Sequence, residues 1–418
     1  MLVENLPVPG DERVWAEAKT LRDSGLQVSI ICPKGTSHFR ESYICLENIH
    51  VYRYQLPQTA HRYVAYFIEY GVAILMTFFL SLKVWFRHGF DAIQACNPPD
   101  MFFVIGLFYR CFGKKFVFDQ HDPAPEMFQG MFKGHMKFLH RLLLFLEWCT
   151  YRTADLVITT NTSLRSFATG RGHKPADRVL VVRNGPDLKR MRPVPPEPEL
   201  KGGRRFMLAY VGVMGILDGI DYALYALDIL VHKYGREDVS LVLMGDGDDV
   251  KRLRALVNKL ELGAYVNFVG WTVREDMVRY LSVADVGISP EPENGLNEFC
   301  TMNKVLDYMA IGLPIVAFDL AETRFSARGA ALYATPNDVE DFANKVVALL
   351  DNEELRLEMG IIGRRRIEEE LSWAHSQDHL LRAYQAVLFN RKLITAPGKD
   401  ALEEVPSIYS PESTILKL

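Results

Sequence analysis

The amino-acid sequence predicts an α/β protein of two Rossmann-like, doubly wound domains that face each other across a cleft. Three observations carry this. Short apolar runs of strand length alternate with amphipathic helical stretches through most of the chain, the rhythm of parallel sheets built from βαβ units. Polar or glycine-bearing loops follow those runs on their carboxyl side, where open α/β sheets bind ligands. Finally, Pro193-Val194-Pro195-Pro196-Glu197-Pro198, stiff and extended, divides the chain into two stretches of domain size. The expected domains are residues 1–190 and 203–372, and the polar, proline-broken tail over 393–418 is expected to be loose.

Composition narrows the class. The 418 residues are enough for two cores, and 49% hydrophobic with 24% charged residues is a globular profile. A formal net charge of −4 argues against a nucleic-acid partner, which calls for a basic excess. Cys32, Cys45, Cys96, Cys111, Cys149 and Cys300 show neither a CxxC nor a pairing rhythm, which fits reduced thiols in cytosol and offers no metal site. The opening MLVENLPVPGDE carries acids where a signal peptide has its basic region.

In the first half, Leu2-Val3 reads as the end of a short strand that runs into a loop ending at Gly10. Gly10 lets backbone approach a ligand. Arg13 begins an amphipathic helix that ends near Gly25, and is either a phosphate contact or a solvated first-turn residue. Val28–Cys32 is a buried strand. Residues 62–87, RYVAYFIEYGVAILMTFFLSLKVWFR, are the most apolar segment, yet only 13 uncharged residues separate Glu69 from Lys83. At ~1.5 Å per residue that falls short of a ~30 Å hydrocarbon core. The segment reads as a helix on the sheet, either plain core or with an excess apolar face that touches lipid. Strands follow at Phe90–Cys96 and Lys115–Phe118, the second leading into DQHDPAPE (119–126). A polar cluster straight after a buried strand is where doubly wound sheets keep function, and His121, with acids on both sides, is its candidate. Met131–Tyr151 reads as one helix with Lys133, Lys137 and Arg141 in a basic stripe beside a broad apolar face. Such a helix suits an anionic membrane surface, or a core with one solvated side. Leu156–Thr159 and Leu180–Arg183 complete the strands of this half.

The second half opens with Phe206–Val211, a strand feeding Gly212–Gly219 and then a helix, which presents backbone N–H groups and a helix dipole to an anion. Gly212 and Gly215 are its candidate ligand-side glycines. Ser240–Met244 runs into a second glycine loop beginning at Gly245, and Val266–Val269 into Gly270-Trp271-Thr272. Asp285–Ile288 precedes ISPEPENGLNEFC, and helices are expected at about 339–351, 353–371 and 373–390. Between them, TMNKVLDYMAIGLPIVAFD (301–319) holds a helix that Asn303 opens and Gly312 stops, with Pro314 just beyond, and then a buried strand. Lys304 and Asp307 stand at i and i+3 of that helix. On spacing alone they are either a surface ion pair worth ~0.3–0.5 kcal/mol or a ligand site at the mouth of the sheet.

DYMAIGLPIVAF resembles the EAMAxGxPVVA segment of the retaining glycosyltransferases of family 4, whose two-domain architecture is the GT-B fold. NKVLDYMAIGLPIVAFDLAETR and DQHDPAPEMF are similar to the branch that builds bacterial capsule, exopolysaccharide or O-antigen units on lipid carriers. The resemblance covers about residues 1–390. It implies that Asp307 holds the donor ribose, that His121 lies beside the transferred sugar, and that the loop of Gly10 and Arg13 lies under the donor phosphates. It also implies that the backbone of Val269 to Thr272, Trp271 included, lines the nucleobase pocket, and that the last helix, about 373–392, crosses back to the first domain. Gly212, Gly215, Gly245, Glu298, Phe299 and Asn303 complete the expected donor-binding set. The family's E-x7-E pair is broken here, because Phe299, flanked by Glu298, stands where the first acid belongs. Its two phosphate-binding cations are replaced by Val213 and Asp218. Asp218 is therefore read as a helix N-cap, and Lys304 as the replacement cation.

By that resemblance the reaction is the retaining transfer of a sugar from a nucleotide donor, expected to be UDP-linked, to a hydroxyl of a lipid-linked glycan acceptor. It implies surface polysaccharide synthesis at the inner face of the cytoplasmic membrane, with no cofactor and no metal. The departing diphosphate takes the acceptor proton while the protein supplies positioning and charge, with Lys304 and His121 as catalytic candidates. Two other readings stay open. One is a sugar-nucleotide epimerase on the same architecture. The other is a non-catalytic nucleotide-sugar binder, suggested by the lost Arg, Lys and first acid.

Overall fold

The computed structural model describes residues 1–35, 38–57, 63–132 and 136–389, and at 63–67 and 132 the backbone alone. The first half holds strands β1 (Ser29–Pro33), β2 (Tyr43–Leu46), β3 (Ile49–Tyr54), β4 (Ala92–Cys96), β5 (Lys115–Gln120), β6 (Leu156–Thr159) and β7 (Val179–Val181). β1 pairs in parallel with β3, and β4 to β7 pair in parallel in chain order. Leu2 joins the two parts. Its backbone bridges Ile31 of β1 on one side and Ala95 of β4 on the other, so the short first strand is a single bridging residue at the sheet's centre. β2 and β3 were not among the expected strands. They form an antiparallel hairpin about Glu47-Asn48, both at positive φ (48° and 63°), a mirror-type turn without the glycine that usually marks one.

Around this sheet lie α1 (Glu12–Asp23), α2 (Tyr63–His88), α3 (Phe103–Arg110), α4 (Ala124–Phe132), α5 (Lys137–Thr153) and α6 (Thr162–Thr169). Asp11 caps α1 by accepting from Val14 N at 3.1 Å, and Asn161 caps α6 by accepting from Leu164 N at 2.8 Å. The single helix expected over Met131–Tyr151 is two pieces. α4 ends at Phe132, and α5 starts after Met136, whose φ of 72° cannot continue a helix. Lys137 and Arg141 are exposed on α5, while Lys133 lies outside the described residues.

Two of these helices are apolar on the wrong side. α2 turns Ala73, Thr77 and Ser81 inward and leaves Leu75, Phe79 and Phe86 exposed, Phe86 to 82%. α5 buries Glu147, Thr150 and Thr153 and exposes Phe138 (81%), Phe145 and Trp148. α3 lies between, touching α2 through the Phe78–Phe108 rings, and adds exposed Val104 and Leu107. Ile68–His88 is long and apolar enough, by length and composition, to cross a bilayer, although part of it packs on β1 and β3.

The second half is one parallel sheet. Its strands are β8 (Phe206–Val211), β9 (Val239–Met244), β10 (Val266–Gly270), β11 (Val286–Ser289), β12 (Ile315–Phe318) and β13 (Ala331–Ala334), in the spatial order β10-β9-β8-β11-β12-β13. The central strands are covered on both faces, which is why β8 and β12 read as unbroken apolar runs, whereas edge strand β10 has no fully buried residue. Leu208, Tyr210, Leu241 and Leu243 enter one core; Met207, Ala209, Val242 and Met244 enter the other. The helices are α7 (Ile220–Asp228), α8 (Val250–Lys259), α9 (Arg274–Val283), α10 (Asn303–Ile311), α11 (Ala321–Ala327), α12 (Val339–Leu350), α13 (Glu353–Arg366) and α14 (Trp373–Phe389). α14 returns to the first half, where Trp373 Nε1 donates to Thr20 Oγ1 at 3.1 Å and Tyr384 Oη to Gln94 Oε1 at 2.6 Å.

Candidate active site in the interdomain cleft

The strand order of the second sheet reverses between β8 and β11, and a doubly wound sheet binds ligands beyond its strand ends at that point. The loops there are stitched together. Gly212 N donates to Met244 O at 3.0 Å, Gly245 N to Gly270 O at 2.8 Å, and Met214 N to Asp246 O at 3.0 Å. A Cβ on Gly245 would lie 1.9 Å from Gly212 O, and both glycines have positive φ (138° and 143°), so side chains are excluded.

Lys304 reaches this loop from the first turn of α10. Its Cε would meet a Cβ on Gly212 at 3.0 Å. The buried Nζ is ion-paired with Glu291, itself buried, and donates to Tyr210 Oη at 3.2 Å. Burial opposes the charge on Lys304, but Glu291 outweighs it and holds the pKa well above the ordinary lysine value. Two expectations change here. Lys304 and Asp307 do not pair with each other, and Lys304 is not an unshared cation, because any diphosphate must compete with Glu291 for it.

Asp218 does not cap α7; Gly219 holds that position. Asp218 instead closes the short turn Ile216–Asp218 by accepting from Gly215 N at 2.9 Å. That turns one amide of the glycine loop onto protein rather than onto an anion. Burial raises the Asp218 pKa, and Lys304 draws it back in part.

Asp307, one turn along α10, faces Arg274, the first residue of α9, with Nη1 to Oδ1 at 3.4 Å. Burial raises the Asp307 pKa against the pull of Arg274. Trp271, just past β10, is 67% exposed and lies 5.9 Å, ring to ring, from His38 of the first domain. Val269 is half-buried and packs on the core beneath. Glu298 Oε1 accepts from Gly295 N at 3.0 Å, and its buried Oε2 has no hydrogen-bond partner among the described residues. Phe299 and Asn303 hold the two domains together. The Phe299 carbonyl accepts from Asn161 Nδ2 at 2.8 Å, its ring meets Phe167 edge-on, and Asn303 Oδ1 accepts from Asn184 Nδ2 at 2.9 Å.

The facing wall comes from the end of β5. Arg13 Nη2 donates to Asp119 Oδ1 at 2.9 Å and lies 3.0 Å from Glu17, while Nη1 donates to Val182 O and Asn184 Oδ1 at 2.8 and 2.7 Å. With Nε directed at His121, the guanidinium is spent on the protein, so it is not the phosphate contact expected of it. Gly10 has a local reason too: a Cβ there would lie 2.8 Å from Pro7 O in its own turn. His121 Nε2 stands 3.1 Å from Arg13 Nε and 2.9 Å from Asp119 Oδ2, and it serves one at a time. Unprotonated it accepts from Arg13; protonated it donates to Asp119. Burial opposes the imidazolium, Asp119 outweighs burial, and the His121 pKa is raised. Asp119 is held well below the carboxylate range because Arg13 and His121 outweigh its burial. Burial pushes Glu17 up to about 8 despite Arg13. Gln94 donates to both carboxylates and accepts from Tyr384, which ties α14 to the back of the site.

Cys96, Asp119 and His121 bring their ligand atoms within 4.8 Å of one another, a cluster that the scattered sequence positions hide. Both Asp119 oxygens already accept from Arg13, Gln94 and His121, and a guanidinium adjoins them, so this donor set is that of a hydrogen-bond network rather than a cation site. Glu291, Tyr210, Arg274 and Glu17 were absent from the expected site. Glu291 carried a weak signal as an acid between two prolines after a strand; the other three carried none.

Residues 12–190 match the family described as Glycosyltransferase Family 4, and residues 205–352 match Glycosyl transferases group 1. Over 245 residues the chain is 26% identical to a GDP-mannose-dependent monoacylated alpha-(1-6)-phosphatidylinositol monomannoside mannosyltransferase of Corynebacterium glutamicum, covering 55% of this chain and 62% of that one. Sucrose-phosphate synthase from Thermosynechococcus elongatus shares the fold at TM-score 0.76 and 17% identity, over 93% of this chain and 99% of that one. HepE of Anabaena, solved in complex with UDP, does so at TM-score 0.66 and 15% identity, over 92% and 99%. The fold is GT-B.

Proposed function

We propose, for a chain whose two domains are those of a GT-B glycosyltransferase of the family 4 type, that it transfers a sugar with retention from a nucleoside diphosphate donor to a hydroxyl of a lipid-linked glycan. One observation carries the reading. The stitched glycine loops, Lys304 and Asp307 stand at the switch point of one sheet, and the His121 network at the strand ends of the other closes the same cleft. The donor's diphosphate lies along Gly212–Gly215 beside Lys304, its ribose on Asp307 and its base toward Trp271. The bond from the sugar's anomeric carbon to the phosphate oxygen breaks as the acceptor oxygen bonds the same face, and the acceptor proton passes to the departing phosphate. Protein groups then position the donor and stabilise the developing charge. UDP is the favoured nucleotide, since the neighbour HepE is solved with it; the mannosyltransferase relative makes GDP the competitor. Its lipid acceptor supports a lipid-linked substrate here, and so does the inside-out apolar face of α2, α3 and α5, which suits peripheral attachment to the cytoplasmic membrane.

The test is incubation with UDP-sugars and GDP-sugars, each with and without membrane lipid extract. Transfer of label into the lipid phase is the expected result. An altered sugar in the absence of acceptor would make the protein an epimerase, and binding without turnover in either condition would make it a binder.

A further inference from the structure

Arg274 belongs to the second domain yet touches both. Its Nη1 lies 3.4 Å from Asp307 Oδ1, while Nε donates at 3.1 Å to Glu12 Oε1 and Nη2 also pairs with Glu12, at the start of α1 in the first domain. Its side chain is only 15% exposed although it bridges the cleft. Asp307 Oδ2 makes no hydrogen bond among the described residues, which leaves it for a ligand hydroxyl. Among the described residues no other charged group bonds this carboxylate. Lys304 on the same helix is turned on Glu291, and the acids that follow Arg274 on α9 are engaged elsewhere, Glu275 with Arg190 and Asp276 with Arg279.

We propose that Arg274 is a positioning residue that holds Asp307 for the donor ribose and, through Glu12, makes nucleotide affinity depend on closure of the two domains. The inference rests on Asp307 as the ribose acceptor. With the domains closed, Glu12 aims the guanidinium at Asp307 Oδ1, and Oδ2 is presented as an ionised acceptor. With the domains apart, Arg274 loses its second anchor and Asp307 its fixed counter-charge. The ribose therefore binds most tightly to the closed form, and by reciprocity nucleotide favours closure. Burial and Arg274 pull the Asp307 carboxyl in opposite directions, so loss of Arg274 moves its protonation to higher pH.

The experiment is calorimetric binding of UDP and of GDP to the full chain from pH 5 to 8, analysed for the tighter nucleotide. Asp307→Asn and Arg274→Gln are each expected to weaken binding about tenfold, the scale of one lost charge-assisted contact. Glu12→Gln should weaken it roughly two- to fivefold in the wild-type background and not at all beside Arg274→Gln, which marks the coupling. The acid limb of affinity should shift to higher pH in Arg274→Gln and return in Arg274→Lys, a movement that a merely structural residue would not produce. If Glu12→Gln has the same effect in both backgrounds, or the limb does not move, the relay is wrong while the ribose assignment stands. If Asp307→Asn binds as wild type does, the assignment falls and the relay with it.

Discussion

Replacing Lys304 tests two roles at once, and the structure shows how to separate them. Lys304→Met keeps the length of the side chain but strands Glu291, whose side chain is 2% exposed, with Ser289 as its remaining hydrogen-bond donor among the described residues. Removing one partner of a buried ion pair costs about 3–5 kcal/mol, because the other charge stays buried without compensation. That is a large share of the ~5–15 kcal/mol that holds a typical domain together. With a urea slope of ~2 kcal/mol per molar, the midpoint of the second domain should fall by roughly 2 M. Adding Glu291→Gln removes the stranded charge and should recover most of that loss, since a buried neutral pair is often no less stable than the ionic one. Turnover is then measured in the stable double variant. If the Lys304 charge stabilises the departing diphosphate, turnover falls by about 10²–10³ with a smaller loss of donor affinity. Identical urea midpoints for Lys304→Met and the double variant would refute the buried-pair energetics. Wild-type turnover in the double variant would remove Lys304 from the mechanism.

The His121 imidazole should titrate above the ordinary ~6.5 in an NMR experiment and shift down in Asp119→Asn, where burial and Arg13 are opposed only by the weaker pull of Asp11. Because its folded pKa is raised, the His121 proton contributes stability below pH ~6.5 that is lost as pH rises through the folded value; a flat difference between wild type and Asp119→Asn across that window would contradict this. On the outer face, changing Phe79, Phe86 and Phe138 together to Gln should leave unfolding within about 0.5 kcal/mol per site and abolish co-sedimentation with anionic vesicles. Lys137→Gln and Arg141→Gln should each weaken that binding by ~1 kcal/mol at low salt, and a wild type that does not sediment would dismiss the membrane face.

Much of this protein is legible in its sequence. The apolar runs at the centre of the second sheet, the stop at Gly312 and the glycine loop after Phe206–Val211 are local features, each decided by a few adjacent residues and their allowed backbone angles. Local chemistry also misled where its usual signal was missing, as at the Glu47-Asn48 hairpin and the break between α4 and α5. The partners of the charged residues were not legible at all. Lys304 takes Glu291, 13 positions away, Asp307 takes Arg274, 33 away, and Arg13 takes Asp119, 106 away. Spacing on a helix offered Lys304 and Asp307 to each other, a contact worth tenths of a kcal/mol in water. The fold overruled it, because strand ends that meet at the switch point bring buried counter-charges together, and an unpaired charge there costs several kcal/mol. Which face of α2 would be apolar was settled in the same way: the helix supplies large side chains on several sides, and the packing of Ala73, Thr77, Ser81 and Val84 inward determines that Phe79 and Phe86 remain outside.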